Sequence, residues 1–409
     1  MTDLKASTVG ARTARSNLFL LYAARALRGF GDGFAVIVLP AYLAALGFDA
    51  AQIGLAAASA LLGTALFTLA VGLVAPRYDL RNLLIAGAVL MIGTGLAFPQ
   101  VEHIGFIIAV AFFGSVNPST GDIGVLIPLE HAMLSYGVAD HERTRTFARY
   151  SLIGALSMAV GALAAATPDF LVSAGLARIT AFKAMFYAYA VLGLACAAIY
   201  AWLPRAHIEK RPAAVPLTVS RGVVYKLAAL FSVDAFAGGF VVQSLLAVWL
   251  FQRFNMTLSA ASLFFFWASV LSAFSYPLAA RIARHIGLVN TMVFTHIPSS
   301  ICLILAAFSP DLTLTLALLL VRSALSQMDV PTRSSYVMAV VTPPERPAAA
   351  SVTAVPRSLA SSLSPALAGL LLTTSFAGLP LILCGSLKIA YDVALLFSFR
   401  HIKPPEESA

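Results

Sequence analysis

Apolar stretches of about 20 residues recur along the whole chain, and they restrict its fold more than any other feature. Each is long enough to cross the hydrocarbon core of a bilayer, which is about 30 Å thick. Only 11% of the residues are charged, less than half of the roughly 25% typical of soluble domains. A spanning chain must form helices or a closed barrel, and the short alternating segments of a barrel are absent. The sequence therefore predicts an all-α membrane protein.

The apolar stretches define twelve predicted transmembrane spans in two groups of six. Their predicted bounds are 17–46, 51–75, 82–101, 104–134, 146–167, 179–203, 223–251, 258–280, 290–309, 312–341, 354–375 and 379–399. The most polar stretch lies between spans 6 and 7. It predicts an N-terminal half at 1–203, a cytoplasmic linker at 204–222 and a C-terminal half at 223–409.

The basic residues are distributed unevenly between the two sides of this bundle. Most of the 27 lysines and arginines lie near the chain ends or in loops on the same side, and Arg178, Lys183 and Arg253 lie on the other. The positive-inside rule then predicts a multi-pass protein of the cytoplasmic (inner) membrane with both termini in the cytoplasm. The net charge of +9 follows from this topology, so we expect no nucleic-acid partner.

Charged side chains inside the spans recur with a period of three, in spans 1, 4, 7 and 10. They are Arg25, Arg28, Asp32, Asp122, Glu130, Asp234, Arg322, Asp329 and Arg333. A charge at the bilayer centre costs about 2.5–3.5 kcal/mol, so these groups are expected to face water, substrate or one another. The pattern predicts a polar cavity surrounded by four spans, which is typical of a transporter.

Two of these spans carry an acid and an arginine four residues apart. Arg28 and Asp32 share one helical face with Arg25, and Asp329 and Arg333 are spaced in the same way. Each pair is either a substrate or proton site or a structural ion pair. Asp234 is a candidate proton site unless an arginine of span 1 or 10 neutralises it.

Prolines interrupt spans 4 and 10 beside these charges. Pro118 lies one turn before Asp122, and Pro331 lies between Asp329 and Arg333. A proline removes a backbone hydrogen bond, and such breaks are tolerated in membranes where they face protein or water. Asp122 therefore marks either a binding site or a packing kink. Glu130 is either a proton relay or a gate partner.

A further pair in span 12 has no place in this pattern. Lys388 and Asp392, four residues apart, are expected to form a structural ion pair.

The two halves show faint self-similarity. Gly-Phe-Ala-Val at 33–36 matches Gly-Phe-Val-Val at 239–242, and Asn-Pro-Ser at 117–119 matches Val-Pro-Thr at 330–332. Duplicated halves are common among transporters. Twelve spans in two such halves, with polar spans 1, 4, 7 and 10, resemble the major facilitator superfamily over essentially the whole chain. The resemblance implies pseudo-two-fold symmetry and a central cavity lined by those four spans.

The loop between spans 2 and 3 resembles the family's most general motif. Its Arg77, Asp79 and Arg81, together with Arg284 in the corresponding loop of the second half, are the gating-loop candidates. The motif's acidic residue is replaced by Pro76 here, and the second copy also lacks it. The segment from Ser326 to Arg346 is similar to one in prokaryotic members of the superfamily.

The resemblance and the charge pattern together predict a secondary active transporter of a small solute that works by alternating access. We expect proton coupling, with efflux slightly favoured over uptake, in a monomer embedded in the bilayer. The alternatives are a transport-inactive receptor or scaffold of the same fold, or an importer of a small anionic metabolite. Nucleotide-binding and catalytic motifs are absent from the sequence, so we expect no enzyme activity, cofactor or metal.

Overall fold

The predicted all-helical bundle of twelve spans is confirmed. A computed structural model of the chain describes residues 2–119, 124–135, 140–206 and 216–400, and the regular structure within these ranges is helical. Nine spans are single helices: Thr2–Ala45 (apolar from Asn17), Ala50–Val74, Leu80–Ala97, Asp140–Ala164, Arg178–Ala201, Leu258–Ile286, Leu288–Phe308, Arg346–Leu372 and Leu379–Phe399. A short helix, Thr167–Ser173, connects spans 5 and 6. The domain boundaries at 203/204 and 222/223 stay predictions.

Spans 4, 7 and 10 are each built from two helices. They are Ile104–Phe113 with Leu126–Ser135, Arg221–Gly239 with Gln243–Phe254, and Leu312–Ser326 with Asp329–Val340. Pro118 lies within the interruption of span 4, whereas Pro331 lies just after the interruption of span 10. The third, at residues 240–242, follows Gly238 and Gly239, which are weak helix formers.

The break in span 10 precedes its proline. The carbonyl of Gln327 accepts a hydrogen bond from the amide of Val330 at 3.4 Å. Pro331 falls in the first turn of the second helix, where its missing N–H costs nothing.

Glycines allow spans 1 and 5 to pack closely. A Cβ atom at Gly33 would collide with the backbone of Met158, and one at Gly161 would collide with the backbone of Phe30. A Cβ atom at Gly154 would overlap the guanidinium of Arg25. Small residues therefore hold span 1 against span 5 and make room for one of its charges.

The hydrophobic core is shared between the halves at one end of the bundle and divided at the other. We call the end at which span 1 begins and span 12 ends the terminal end, and the opposite end the distal end. One buried cluster joins residues 34–61 of the first half to residues 240–268 and 368–384 of the second. At the terminal end, each half has a core of its own. The halves are therefore packed together at the distal end.

Span 2 shows the same asymmetry along its length. Its buried residues all lie between Ala50 and Thr64, in its distal part. There Gly54 faces Pro365 and Gly369 of span 11, and a Cβ atom at Gly54 would collide with both. The two glycines thus bring one helix of each half into close contact.

Glu345 binds the residues that precede span 7 at the terminal end. Its buried carboxylate accepts hydrogen bonds from the amides of Thr218, Val219 and Ser220 at 2.6–3.0 Å, and from the Thr218 hydroxyl at 2.7 Å. These bonds, that of the Thr218 hydroxyl first, hold the pKa of Glu345 well below its ordinary range. A negative charge is also favourable at the amino end of the helix Arg221–Gly239.

We predict that Glu345→Gln lowers the unfolding temperature at pH 7, because the variant loses the charge and one acceptor oxygen. A carboxylate whose pKa is lower in the folded than in the unfolded protein stabilises the fold at pH values above its unfolded pKa of about 4.3. This stabilisation is lost as the pH falls below that value toward the folded-state pKa. The difference between variant and wild type should therefore stay constant from about pH 7 to 5.5 and shrink below about pH 4. Glu102→Gln is the matched control, because Glu102 is 74% exposed and its ion pair with Lys183 spans 3.8 Å. Equal shifts for both variants would contradict the assignment.

Candidate functional site

A buried ion pair lies inside the N-terminal half. Arg28 of span 1 forms its ion pair with Glu130 of span 4. The hydroxyls of Tyr150 and Tyr200 also donate to Glu130, the second at 2.5 Å. Glu130 is fully buried and Arg28 is 6% exposed. The carboxylate thus has a cation and two hydroxyl donors, which offsets part of its desolvation cost.

This arrangement corrects the partner predicted for Arg28. The spacing allowed Arg28 to pair with Asp32, but its guanidinium bonds Glu130, 102 residues away. Asp32 is half-buried and instead accepts a hydrogen bond from Tyr189 of span 6 at 3.3 Å. The guanidinium of Arg25 lies 5.1 Å from the ring centre of Tyr150. Arg28 pairs with Glu130 and not with Asp32 because two tyrosine hydroxyls donate to Glu130, whereas one donates to Asp32.

A second network lies inside the C-terminal half around Asp234 of span 7. Its carboxylate contacts Lys388 at 2.7 Å and Arg333 at 3.2 Å. Arg333 also pairs with Asp329, four residues before it, as the spacing predicted. Asp234, Asp329 and Arg333 are all at least 94% buried. Asp234 is therefore neutralised by an arginine of span 10, and also by a lysine of span 12.

Span 9 contributes a buried histidine to the same network. The Nδ1 atom of His296 lies 3.0 Å from Asp392, and its Nε2 atom lies 3.2 Å from Nζ of Lys388. The prediction of a direct Lys388–Asp392 pair is wrong, because His296 contacts both and Lys388 reaches span 7 instead. Side chains of spans 7, 9, 10 and 12 thus form one buried polar network inside this half.

The breaks in spans 4 and 7 meet between the halves. The carbonyl of Pro118 accepts a hydrogen bond from the amide of Ser244 at 3.2 Å. Ser244 lies in the first turn of the helix Gln243–Phe254, where backbone amides have no partner within the helix. On the other side of the break, the amide of Ser115 donates to the Thr94 hydroxyl at 3.1 Å. These two backbone groups therefore have partners within the protein, as a membrane requires.

The Tyr189 hydroxyl connects this break to Asp32. It lies 3.1 Å from the Ser115 hydroxyl while it donates to Asp32. Spans 1, 4 and 6 are therefore linked by one hydrogen-bonded chain beside the interrupted helix.

The remaining predicted site residues lie at the edges of these networks or outside them. Asp122 lies outside the described residues. Arg322 is half-buried in the first helix of span 10, and its backbone carbonyl accepts from Ser299 at 3.4 Å. Among the described residues, no group of three or more His, Cys, Asp or Glu side chains is placed to hold a metal ion.

The gating-loop candidates lie at the terminal end. Asp79 accepts hydrogen bonds from the amides of Arg81 and Ala206, so it caps span 3 and binds the end of span 6. Arg77 and Arg284 are exposed, and Arg81 is half-buried. Their gating role stays a prediction.

Sequence reasoning missed the tyrosines and the histidine of these networks. Tyr189, Cys196 and Tyr200 are spaced i, i+7 and i+11, which places them on one face of span 6. His296 follows Thr291 and Thr295 on a polar face of span 9. Both patterns are visible in the sequence, but these side chains carry no formal charge and so lie outside the charge pattern.

Asp169 joins the halves at the distal end. It lies in the short helix Thr167–Ser173, and its carboxylate accepts from the amide and hydroxyl of Ser259 at 2.9 and 2.8 Å. Ser259 begins span 8, so the carboxylate of one half satisfies the amino end of a helix in the other. We call this contact the distal latch.

The comparisons with known proteins agree with this architecture. The model of the Major Facilitator Superfamily matches residues 21–250, more than half of the chain. The chain belongs to the major facilitator superfamily. An uncharacterized membrane protein of Saccharomyces cerevisiae, YJR124C, is 26% identical over 426 residues, which covers 95% of each protein.

Solved structures of transporters share the fold. The nucleoside transporter NupG superposes with a TM-score of 0.73 at 14% identity, covering 95% of this chain and 99% of that one. A bacterial homologue of the human lysosomal transporter Spinster gives a TM-score of 0.66 at 17% identity, covering 94% and 95%. The twelve-span superfamily fold is therefore shown, and the chain is a multi-pass membrane protein with the architecture of secondary transporters.

We predict that Glu130→Gln destabilises the protein more than Tyr200→Phe does. The first change leaves the buried Arg28 without its counter-charge, a loss of about 3–5 kcal/mol. The second removes one hydrogen bond to the same carboxylate, a loss of about 1.5–3 kcal/mol. Thermal unfolding of the purified variants measures both. A smaller loss for Glu130→Gln than for Tyr200→Phe would show that Arg28 does not depend on this carboxylate.

We also predict that Asp169→Asn opens the distal end more often. The variant loses the charge at the amino end of span 8, so the open population should rise at least about fivefold, the effect of about 1 kcal/mol. The open population is measured by labelling Leu39→Cys with an impermeant maleimide, in a variant without the three native cysteines. Leu39 is a suitable position because it lies near Pro118 and Ser244. Asp311→Asn is the control, since Asp311 caps the start of its own span 10. An unchanged labelling rate in Asp169→Asn would rule out the latch.

Proposed function

We propose that the chain is a secondary active transporter that carries a small solute across the membrane by alternating access, driven by protons. The observation that carries the proposal is the asymmetric packing of the halves around buried charges. One shared core closes the distal end, and separate cores leave each half independent at the terminal end. Each half keeps its charged network internal, so the halves can move against each other without exposing unpaired charges to lipid.

The proposed solute site lies between the breaks of spans 4 and 7. Around the second break, Oε1 of Gln243 and the hydroxyls of Ser244 and Ser364 are buried without hydrogen-bond partners in the described part of the chain. Buried polar atoms normally have partners, and a bound polar solute would supply them. Interrupted helices at mid-membrane are where transporters bind substrates and coupling ions.

Asp32 is the proposed coupling carboxylate of the N-terminal half. It is half-buried, whereas Glu130 is fully enclosed by an arginine and two tyrosines. A carboxylate with one hydroxyl donor, beside an interrupted helix, can bind and release a proton with the least rearrangement. Asp32 therefore fits an exchangeable site better than Glu130 does.

An excess of cations in the C-terminal half favours a solute with negative charge. Asp234, Asp329 and Asp392 face Arg333 and Lys388, and Arg357 of span 11 lies within electrostatic range of Arg333 and Asp234. Nε of Arg357 is buried and has no hydrogen-bond partner among the described residues. With Arg322, four cations accompany three carboxylates, and an anionic solute would neutralise the surplus.

The topology of the proposal follows from the basic residues. The terminal end would face the cytoplasm, because most lysines and arginines lie there. In this orientation, the end at which the halves share one core would face the outside.

Transport assays in proteoliposomes test the proposal. Compounds that raise the unfolding temperature of the purified protein are added to vesicles that contain a pH-sensitive dye. Wild type should move protons with the solute, and Asp32→Asn should reduce this flux at least about tenfold by removing the exchangeable carboxylate. Asp49→Asn is the control, because Asp49 caps span 2 at the distal surface and asparagine is an equally good cap. Solute flux that is independent of the pH gradient, or wild-type flux in Asp32→Asn, would contradict the proposal.

A further inference from the structure

His296 is a buried titratable side chain to which the proposed function assigns no role. It lies in the middle of span 9 and is 2% exposed. Its imidazole contacts Asp392 through one nitrogen and Lys388 through the other. Both partners belong to span 12, so the ring connects two spans that lie outside the predicted cavity lining.

The contacts of His296 are satisfied together by one tautomer. The ammonium of Lys388 carries only donors, so Nε2 of His296 must accept at 3.2 Å. Nδ1 then carries the hydrogen and donates it to Asp392 at 3.0 Å. The observed geometry is therefore that of a neutral imidazole.

A proton on Nε2 would be incompatible with this geometry. The protonated ring would have no lone pair for Lys388, and two positive charges would lie 3.2 Å apart in a site of low dielectric. Asp234 could accept the new N–H, because its carboxylate is 3.9 Å from Nε2. Protonation of His296 and the Lys388 contact therefore exclude each other.

Lys388 also lies against the break in span 7. A Cβ atom at Gly238 would be 3.8 Å from Nζ of Lys388, and Gly238 is the penultimate residue of the helix Arg221–Gly239. The carboxyl end of a helix is negative and attracts a cation. The lysine thus stabilises the helix end that precedes residues 240–242, in addition to neutralising Asp234.

We propose that His296 is a proton-binding site, and that its protonation displaces Lys388 from Asp234 and from the end of the first helix of span 7. The proton adds to Nε2, the Lys388–Nε2 hydrogen bond breaks, and Nε2–H turns to Asp234. Loss of the cation beside Gly238 then loosens the break that contacts Pro118 in the other half. This inference rests on the proposed proton coupling and adds a second site to it.

The other charged and titratable groups around His296 come from every neighbouring span. Asp234 of span 7 and Asp392 of span 12 favour the added proton, and Lys388 opposes it. Arg333 is held by Asp234 and Asp329, and the Tyr391 ring lies edge-on at 6.2 Å. Arg322 of span 10 and Arg357 of span 11 add positive charge farther away. On span 8, Tyr276 bonds Gln327, and Arg281, Arg284 and His285 are exposed.

Nitrogen NMR of the histidine rings tests the site without a substrate. Purified protein labelled with ¹⁵N-histidine is titrated, and the spectrum of His296→Gln assigns the His296 signals. We expect the ring to carry its hydrogen on Nδ1 while Lys388 occupies Nε2, and to carry hydrogen on both nitrogens once the proposed proton is bound. Lys388→Gln should increase the proton affinity of His296 about tenfold or more, because a charge within hydrogen-bond distance is removed. Lys183→Gln, at the distal surface, is the control.

Transport separates this inference from the proposed function. Proton-driven flux of equal size in wild type and His296→Gln would overturn the coupling role of His296 and leave proton-coupled transport intact. A His296 ring that shows no titration, or an unchanged titration in Lys388→Gln, would overturn the site itself. A titrating His296 that responds to Lys388→Gln, in a protein whose flux ignores the pH gradient, would support the site and refute proton coupling. His103→Asn, which retains a polar cap at the exposed start of span 4, should leave flux unchanged.

Discussion

A charge inside the membrane needs a counter-charge or a hydrogen-bonding partner close by, and the rest of this structure depends on that requirement. In each half, buried carboxylates pair with cations of the same half. In the first half, Arg28 is paired with Glu130, and in the second, Lys388 and Arg333 share Asp234. Among the described residues, the halves meet instead through apolar packing, close glycine contacts and hydrogen bonds to the backbone amides of Ser244 and Ser259. Contacts of this kind can separate and reform at modest cost, whereas buried ion pairs cannot.

The breaks in spans 4 and 7 combine this rigidity with a site for function. Several described backbone groups of these breaks bond to Thr94, to local turns and to one another across the halves. The partner of the Pro118 carbonyl is therefore an amide that moves with the other half. Any rearrangement that separates the halves must break this bond, and a solute between the breaks could replace it. In this way, helix interruption, solute binding and movement of the halves are linked by one set of hydrogen bonds.

The sequence predicted the helices well because hydropathy and length act locally. Span 12 was predicted at 379–399 and is Leu379–Phe399, and span 2 was predicted within one residue at each end. The pairing of charges was harder to predict. Helical spacing indicates which residues share a face, and it predicted the pair of Asp329 and Arg333. It did not predict that Arg28 pairs with Glu130, which lies 102 residues away. Lys388 likewise reached span 7 because His296 lies between it and Asp392. Such choices depend on packing between spans, which a single sequence does not encode locally.

The central claim is that the two halves, each with its own network of ion pairs, move as units about the region between the breaks of spans 4 and 7. Distances between pairs of spin labels, one pair at each end of the molecule, test this claim most directly. The distal pair is Leu176 with Ser375, and the terminal pair is Tyr78 with Arg284. All four positions are exposed. Two populations are predicted for each pair, and across changes in pH or added solute a longer distal distance should accompany a shorter terminal one. Distances that change together, or a single distance at each end under all conditions, would contradict the account.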